Sequence, residues 1–280
     1  MHIEVNGARL FFDVVGPRLA PEGDRMVERP TLIALHGGPG FDHASLRPYF
    51  DRFADTHQVI YLDHRGNGRS TGDPATWTLA QWGDDIHGFC QALGIEKPVV
   101  LGQSFGGMVA MSYGARHPEA PAKLIFSSTA GRMDLAATYA MMGRFGGAEA
   151  RRIAEEFWTN PTEAGAGDYM RVCMPLYNPG PPKDGSNRDR AILRTQVMFH
   201  FIKGEQRSMD LLTGLAAVRC PTLVLAGGLD PITPVACAEA IRDALPAAVR
   251  ELVVFDGAGH GAYRDEPERA EAVLRRFLAA

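Results

Sequence analysis

The chain has 280 residues, enough for one large α/β domain or one domain carrying an insertion. A chain of that length buries roughly 75% of the surface it would expose unfolded, so it needs no staple. The net charge of −4 and the lack of any lysine or arginine block argue against nucleic acid as a partner, and no 18-residue apolar run argues for a membrane. The four cysteines, Cys90, Cys173, Cys220 and Cys237, are scattered without a C-x-x-C pair. That spacing signals neither a zinc site nor a disulfide framework and suits reduced thiols. With no charged n-region and apolar h-region at the N-terminus, the expected location is the cytoplasm.

In chain order, residues 3–5 and 10–15 are β-rich and are separated by Asn6-Gly7, a strong hairpin signal. The sheet should therefore open with an antiparallel pair. Residues 31–35 form the next expected strand, followed by His36-Gly37-Gly38-Pro39-Gly40. Strand 59–62 leads into Asp63-His64-Arg65-Gly66-Asn67-Gly68-Arg69-Ser70, a loop that either shapes the active-site floor or, the reading its polar residues favour, is pinned by an Asp63–arginine ion pair. Helical periodicity covers 79–93, and 99–102 is a continuous apolar run, as expected for a strand covered on both faces.

That strand ends in Gly102-Gln103-Ser104-Phe105-Gly106-Gly107, before a helical stretch at 105–117. G-x-S-x-G is short, but between a buried strand and a helix it describes a sharp turn that presents the serine at the sheet's carboxyl edge. Ser104 is the candidate nucleophile. The backbone N–H of Phe105, directly after it, is one candidate oxyanion donor, and that of Gly38, in the loop after strand 31–35, is the other.

After strand 124–126 the alternation of strands and helices stops. Residues 131–215 read as helices and loops, with a Gly/Pro loop at 178–182, and a structureless loop of that size would be improbable. The expected organisation is a core of residues 1–130 and 216–280, with a helical cap at 131–215. Met141, Met142, Phe145, Phe157, Met170, Met174, Met198 and Phe199 could line an apolar pocket there or simply fill the cap's core.

Strand 223–226 is followed by Gly227-Gly228-Leu229-Asp230-Pro231, helix 235–245, strand 252–255, Gly257-Ala258-Gly259-His260-Gly261 and helix 266–279. A serine hydroxyl needs a base, and the base needs an orienting acid. The order Ser104, Asp230, His260, with each residue just past a strand, supplies both. Asp256 is the rival acid and His36 the rival base. Asp256 lies too close in sequence to His260 to come from a separate strand end, and His36 precedes the serine. No metal or cofactor is implied.

Taken together, residues 36–40, 63–70 and 102–107 resemble the serine peptidase family that contains the prolyl aminopeptidases, also called proline iminopeptidases. The resemblance covers about 31–131 and 221–280. It implies an α/β-hydrolase fold: a mostly parallel eight-stranded sheet, helices on both faces, and an inserted helical cap. It also implies acyl-enzyme cleavage of a small amide or short peptide. In that family, cap glutamates hold the substrate's amino group. The stretch resembling the first glutamate's motif is Arg194-Thr195-Gln196-Val197-Met198-Phe199-His200-Phe201, which places Gln196 at the glutamate's position. The second glutamate precedes a Leu-Leu pair. Here Leu211-Leu212 follows Asp210, with Glu205 upstream. Gln196, Glu205 and Asp210 are thus the candidate substrate-binding residues. Esterase or lactonase activity on the same triad, and a ligand receptor without turnover, are the alternatives. The expected partner is a small-molecule or short-peptide substrate; the oligomeric state is left open.

Overall fold

The computed structural model describes residues 1–181, 183 and 190–280. Strands β1 (His2–Val5) and β2 (Ala8–Val15) form the antiparallel hairpin expected around Asn6-Gly7. A short ribbon, β3 (Leu19–Glu22) with β4 (Arg25–Glu28), follows and was not predicted. Its residues are mostly exposed and show no apolar alternation. The turn at Gly23, with φ +62°, was its one legible signal.

The chain then alternates through β5 (Thr31–Leu35), β6 (Gln58–Leu62), α1 (Leu79–Ala92), β7 (Val99–Gln103), α2 (Phe105–Arg116) and β8 (Lys123–Ser127). Three helices follow, α3 (Leu135–Thr159), α4 (Glu163–Val172) and α5 (Thr195–Lys203), before β9 (Thr222–Gly227), α6 (Val235–Ala244), β10 (Arg250–Phe255), α7 (Ala262–Asp265) and α8 (Pro267–Ala279). Eight strands make one sheet in the order β1-β2-β6-β5-β7-β8-β9-β10, antiparallel at β1–β2 and β2–β6 and parallel elsewhere. All eight expected sheet strands are present.

Apolar runs become central strands because both faces are covered. In β5, Ile33 and Leu35 pack on one side with Phe105, Val109 and Trp82, while Leu32 and Ala34 pack on the other with Phe50, Tyr263 and Phe277. Each fully buried aliphatic side chain contributes about 1.5–3 kcal/mol, so a one-residue register slip would exchange two complete cores.

Between β8 and β9 no strand occurs among the described residues. Asp134 caps α3 by accepting a hydrogen bond from the Ala137 N–H, and Gly147 (φ +73°, ψ −168°) divides that helix into two segments. This layer has its own core of Met142, Ile153, Phe157, Tyr169, Met198 and Ile202. The expected loop at 178–182 is a run of bends from Asn178 to Pro181; Pro182 lies outside the described residues. Among the described residues no helix is long and apolar enough to cross a membrane.

Candidate active site

Strand β7 delivers Ser104 into a turn with φ +55° and ψ −118°. This backbone region costs a non-glycine residue about 1–3 kcal/mol and persists only where the surroundings enforce it. The Ser104 N–H donates to the Ser127 carbonyl at 2.9 Å, and the Ser104 carbonyl accepts from the Thr129 hydroxyl at 2.7 Å. Gly106 lets α2 approach the sheet: a Cβ there would lie 2.6 Å from the His36 carbonyl oxygen and closer still to that of Leu35.

The expected acid and base meet. The Nδ1 of His260 is 2.8 Å from Oδ2 of Asp230, and both residues are buried. Asp230 follows β9, and its Oδ1 accepts from the N–H groups of Ile232 (2.8 Å) and Thr233 (2.9 Å). Its Oδ2 also accepts from the Thr233 hydroxyl at 2.7 Å. A carboxylate with this many donors is held in one orientation. The imidazole is fixed as firmly. The His260 N–H donates to the Tyr177 carbonyl at 2.7 Å, and the Tyr177 ring stands edge-on at 5.3 Å. On either side, the Gly259 N–H donates to Asp265 and the Gly261 N–H to the Ser128 hydroxyl, both at 2.8 Å.

The rivals are elsewhere. Asp256 is exposed. His36 is fully buried beneath the glycine loop, with Nδ1 3.0 Å from the Gly37 carbonyl and Nε2 accepting the His64 N–H. Burial lowers the pKa of His36, and burial together with the neighbouring His36 holds His64 well below the usual imidazole range. The two imidazoles, with centroids 4.4 Å apart and planes tilted by 54°, are thus structural groups.

Asp63 pins its loop, but less through an arginine than the sequence suggests. Its Oδ1 accepts from the backbone N–H and Nδ1 of His43, its Oδ2 accepts from the Arg69 N–H at 2.9 Å, and the Arg69 guanidinium lies 3.9 Å away. Burial alone would raise the Asp63 pKa, but the His43 hydrogen bond and the nearby imidazoles outweigh it and leave it lowered. Arg65 turns instead to Asp85, in a buried bidentate pair at 2.6 and 2.7 Å.

Ser104 and His260 line one cavity of about 520 Å³. Gly38 and Phe105, the candidate oxyanion donors, line it too. Gly38 adopts φ +60°, and Phe105 opens α2, where no preceding turn supplies an acceptor for its N–H. The roof comes from α3, α4 and α5 through Phe157, Met170 and Met198, and from Met174 in the helical turn after α4. Met141, Met142, Phe145 and Phe199, also considered for this role, do not line the cavity, and Met142 belongs to the roof's own core.

The three candidate substrate-binding residues are not brought to the cavity. Gln196 lies on the exposed face of α5, because the helix turns Val197 and Met198 inward. Glu205 caps α1: its Oε2 accepts the Leu79 N–H at 2.7 Å. Asp210 pairs with Arg132 at 2.5 Å near the surface and accepts from the Thr213 hydroxyl. Gln206, one residue past Glu205, is buried and does line the cavity, as do Gln103 and Arg264. Sequence reasoning missed these three. Gln103 stood inside a recognised motif, whereas nothing local marked the other two. No Asp or Glu lines the cavity among the described residues.

Residues 30–267 match the family model of the alpha/beta hydrolase fold. The chain is 28% identical to a proline iminopeptidase of Lactiplantibacillus plantarum, over 98% of each chain. Among solved structures it resembles the enol-lactonase from Burkholderia xenovorans (TM-score 0.70, 20% identity, covering all of both chains). It also resembles a proline iminopeptidase of Mycobacterium smegmatis (TM-score 0.72, 24% identity, covering 100% of this chain and 97% of that one). At these identities the structural likenesses establish the fold alone.

Proposed function

Since the chain belongs to the alpha/beta hydrolase family, we propose that it is a serine hydrolase acting on small, uncharged, largely apolar esters or lactones. The observation that carries this reading is the composition of the cavity beside Ser104, which has aromatic and methionine walls and, among the described residues, no carboxylate. A substrate ammonium buried there would meet no counter-charge among the described residues, which costs on the order of 2–5 kcal/mol. Peptides with a free N-terminal amine, the substrates implied by the prolyl aminopeptidase resemblance, are therefore disfavoured.

The buried Asp230–His260 pair beside the Ser104 cavity supports an acyl-enzyme reaction. The Ser104 hydroxyl attacks the ester carbonyl as His260 Nε2 takes its proton. Asp230 keeps the Nδ1 proton in place and stabilises the imidazolium. The N–H groups of Gly38 and Phe105 receive the developing oxyanion. The carbon–alkoxide bond breaks, His260 returns the proton to the leaving oxygen, and the acyl group remains on Ser104. Water, deprotonated by His260, then attacks the acyl carbon, releasing the acid and restoring the serine.

The test compares p-nitrophenyl butyrate with proline β-naphthylamide and its N-acetylated form, with Ser104→Ala as control. The ester should be turned over in a Ser104-dependent manner, and the free amine should confer no advantage. A preference for the free amine above about a hundredfold, some 2.7 kcal/mol, would restore the aminopeptidase reading.

A further inference from the structure

Gln103 stands between the nucleophile and the sheet, yet the hydrolytic steps do not use it. It is 2% exposed, and neither its Oε1 nor its Nε2 has a hydrogen-bond partner among the described residues. Buried amides are almost always paired, so an orphan of this kind calls for an explanation. Strand β7 could have ended here on an apolar residue, as its neighbours Val99, Val100 and Leu101 show. Such a replacement would remove the desolvation penalty altogether.

The place of the side chain supplies the explanation. Gln103 lines the same cavity as Ser104 and His260. Its Cγ lies 3.6 Å from the point where Gly37 would carry a Cβ, and its Nε2 lies 3.3 Å from the corresponding point at Gly261. The amide thus spans from the glycine loop beside Gly38 to the residue directly after His260. Neither glycine brings a side chain of its own into that space, and beside the Gly261 point the amide shares it with the Arg264 and Tyr263 side chains. An acyl group attached to Ser104 begins one residue away, and it stays there through both halves of the reaction.

Resting on the hydrolase reading above, we infer that Gln103 is a specificity-determining residue that selects acyl groups carrying an oxygen substituent, a hydroxyl or keto group, close to the scissile carbonyl. A hydroxyl can accept from Nε2 or donate to Oε1, and a ketone can accept from Nε2. A site built to hydrogen-bond a substrate oxygen rejects the analogue lacking it far more strongly than an apolar pocket rejects an extra methylene, because the site's own polar group is left unpaired. The rest of the cavity, being apolar, then measures size, and Gln103 reads chemistry.

The experiment measures kcat/KM for p-nitrophenyl 3-hydroxybutyrate and p-nitrophenyl butyrate, which share a leaving group, in the wild type and in Gln103→Met. The wild type should prefer the hydroxylated ester by about tenfold or more. Gln103→Met should bring the ratio of the two kcat/KM values close to one, and its melting temperature should be unchanged or higher, because a buried unpaired amide has been removed. An unchanged ratio, or a wild type indifferent to the hydroxyl, overturns the inference and leaves the hydrolase reading intact. A Gln103→Met protein that fails to fold also overturns it, by marking the amide as structural. Turnover of neither ester, together with no fluorophosphonate labelling of Ser104, would instead remove the hydrolase reading and this inference with it.

Discussion

Replacing Asp230 by asparagine tests the proposed triad most sharply, because the surroundings dictate which way the new amide must face. Oδ1 of Asp230 accepts two backbone N–H groups, from Ile232 and Thr233. An NH2 placed there would oppose two buried donors, at about 1–3 kcal/mol each. The asparagine carbonyl therefore stays at that position, and the NH2 takes the place of Oδ2, 2.8 Å from Nδ1 of His260. The Thr233 hydroxyl can rotate to accept from it. The imidazole cannot rotate in the same way: Nδ1 must become the acceptor, so the ring proton moves to Nε2, the nitrogen needed as base toward Ser104. The fold should survive with a loss of about 1–3 kcal/mol, the value of one charged hydrogen bond. The rate should fall about 10⁴-fold, close to 5 kcal/mol of barrier. Ester turnover and fluorophosphonate labelling kinetics measure the rate, and urea denaturation measures the fold. A variant that keeps more than a tenth of wild-type activity would refute the reasoning, since no base would then depend on that tautomer. Asp230→Ala is the poorer probe, because it strands every one of these donors.

The remaining expectations concern the framework. Gly106→Ala should destabilise the protein by about 1–3 kcal/mol or more, because the added methyl meets the Leu35 and His36 carbonyls, both backbone atoms that cannot turn away; an unchanged urea midpoint would contradict this. His36 and His64 have folded-state pKa values below the ordinary 6.5, chiefly through burial, so the unfolded chain takes up more protons as pH falls. The stability they contribute is complete above about pH 6.5 and is lost on acidification, so the urea midpoint should drop between pH 7 and 5, with a shallower slope in His64→Gln; a midpoint independent of pH would sink the idea. Burial pushes the Cys90 thiol up to about 12 and those of Cys173, Cys220 and Cys237 to about 11. None should react with Ellman's reagent in the native state, and all four should on unfolding; a rapidly reacting native thiol would disagree with that burial.

The strands were legible because burial on both faces writes continuous apolar runs into the sequence, as in Val99-Val100-Leu101. Asp230 and His260 were legible because tight glycine turns mark strand ends, and the fold joins the two across thirty residues of chain. The roof was not legible at the level of side chains. There the useful information is which face of a short helix turns inward, and one residue decides it: Glu205 caps α1 while Gln206 enters the cavity. Motif spacing carried over from a family resemblance cannot resolve that difference, because it fixes position along the chain and not rotation about the helix axis. Gln103 was hidden for the opposite reason. Its motif drew attention to the serine beside it, and only the three-dimensional arrangement reveals an amide with no partner among the described residues.

The backbone of Gly40 joins two parts of the molecule that might have been independent. Its carbonyl accepts the Arg194 N–H at 2.7 Å, at the start of α5, and its own N–H donates to the Asn67 side chain at 2.5 Å. A Cβ on Gly40 would collide with the Arg194 carbonyl, so the two backbone segments touch without any side chain between them. The loop that carries Gly38 is thereby tethered, through this one residue, to both the roof and the 63–70 loop. Any substrate bulky enough to lift α5 must either break the Arg194–Gly40 bond or drag the loop along, shifting an amide meant to meet a developing charge. Size exclusion and reactivity are in this way geared together. An enlarged roof obtained by trimming Met198 or Phe157 would admit longer acyl chains without disturbing the tether, whereas enlargement by loosening α5 would forfeit turnover along with selectivity.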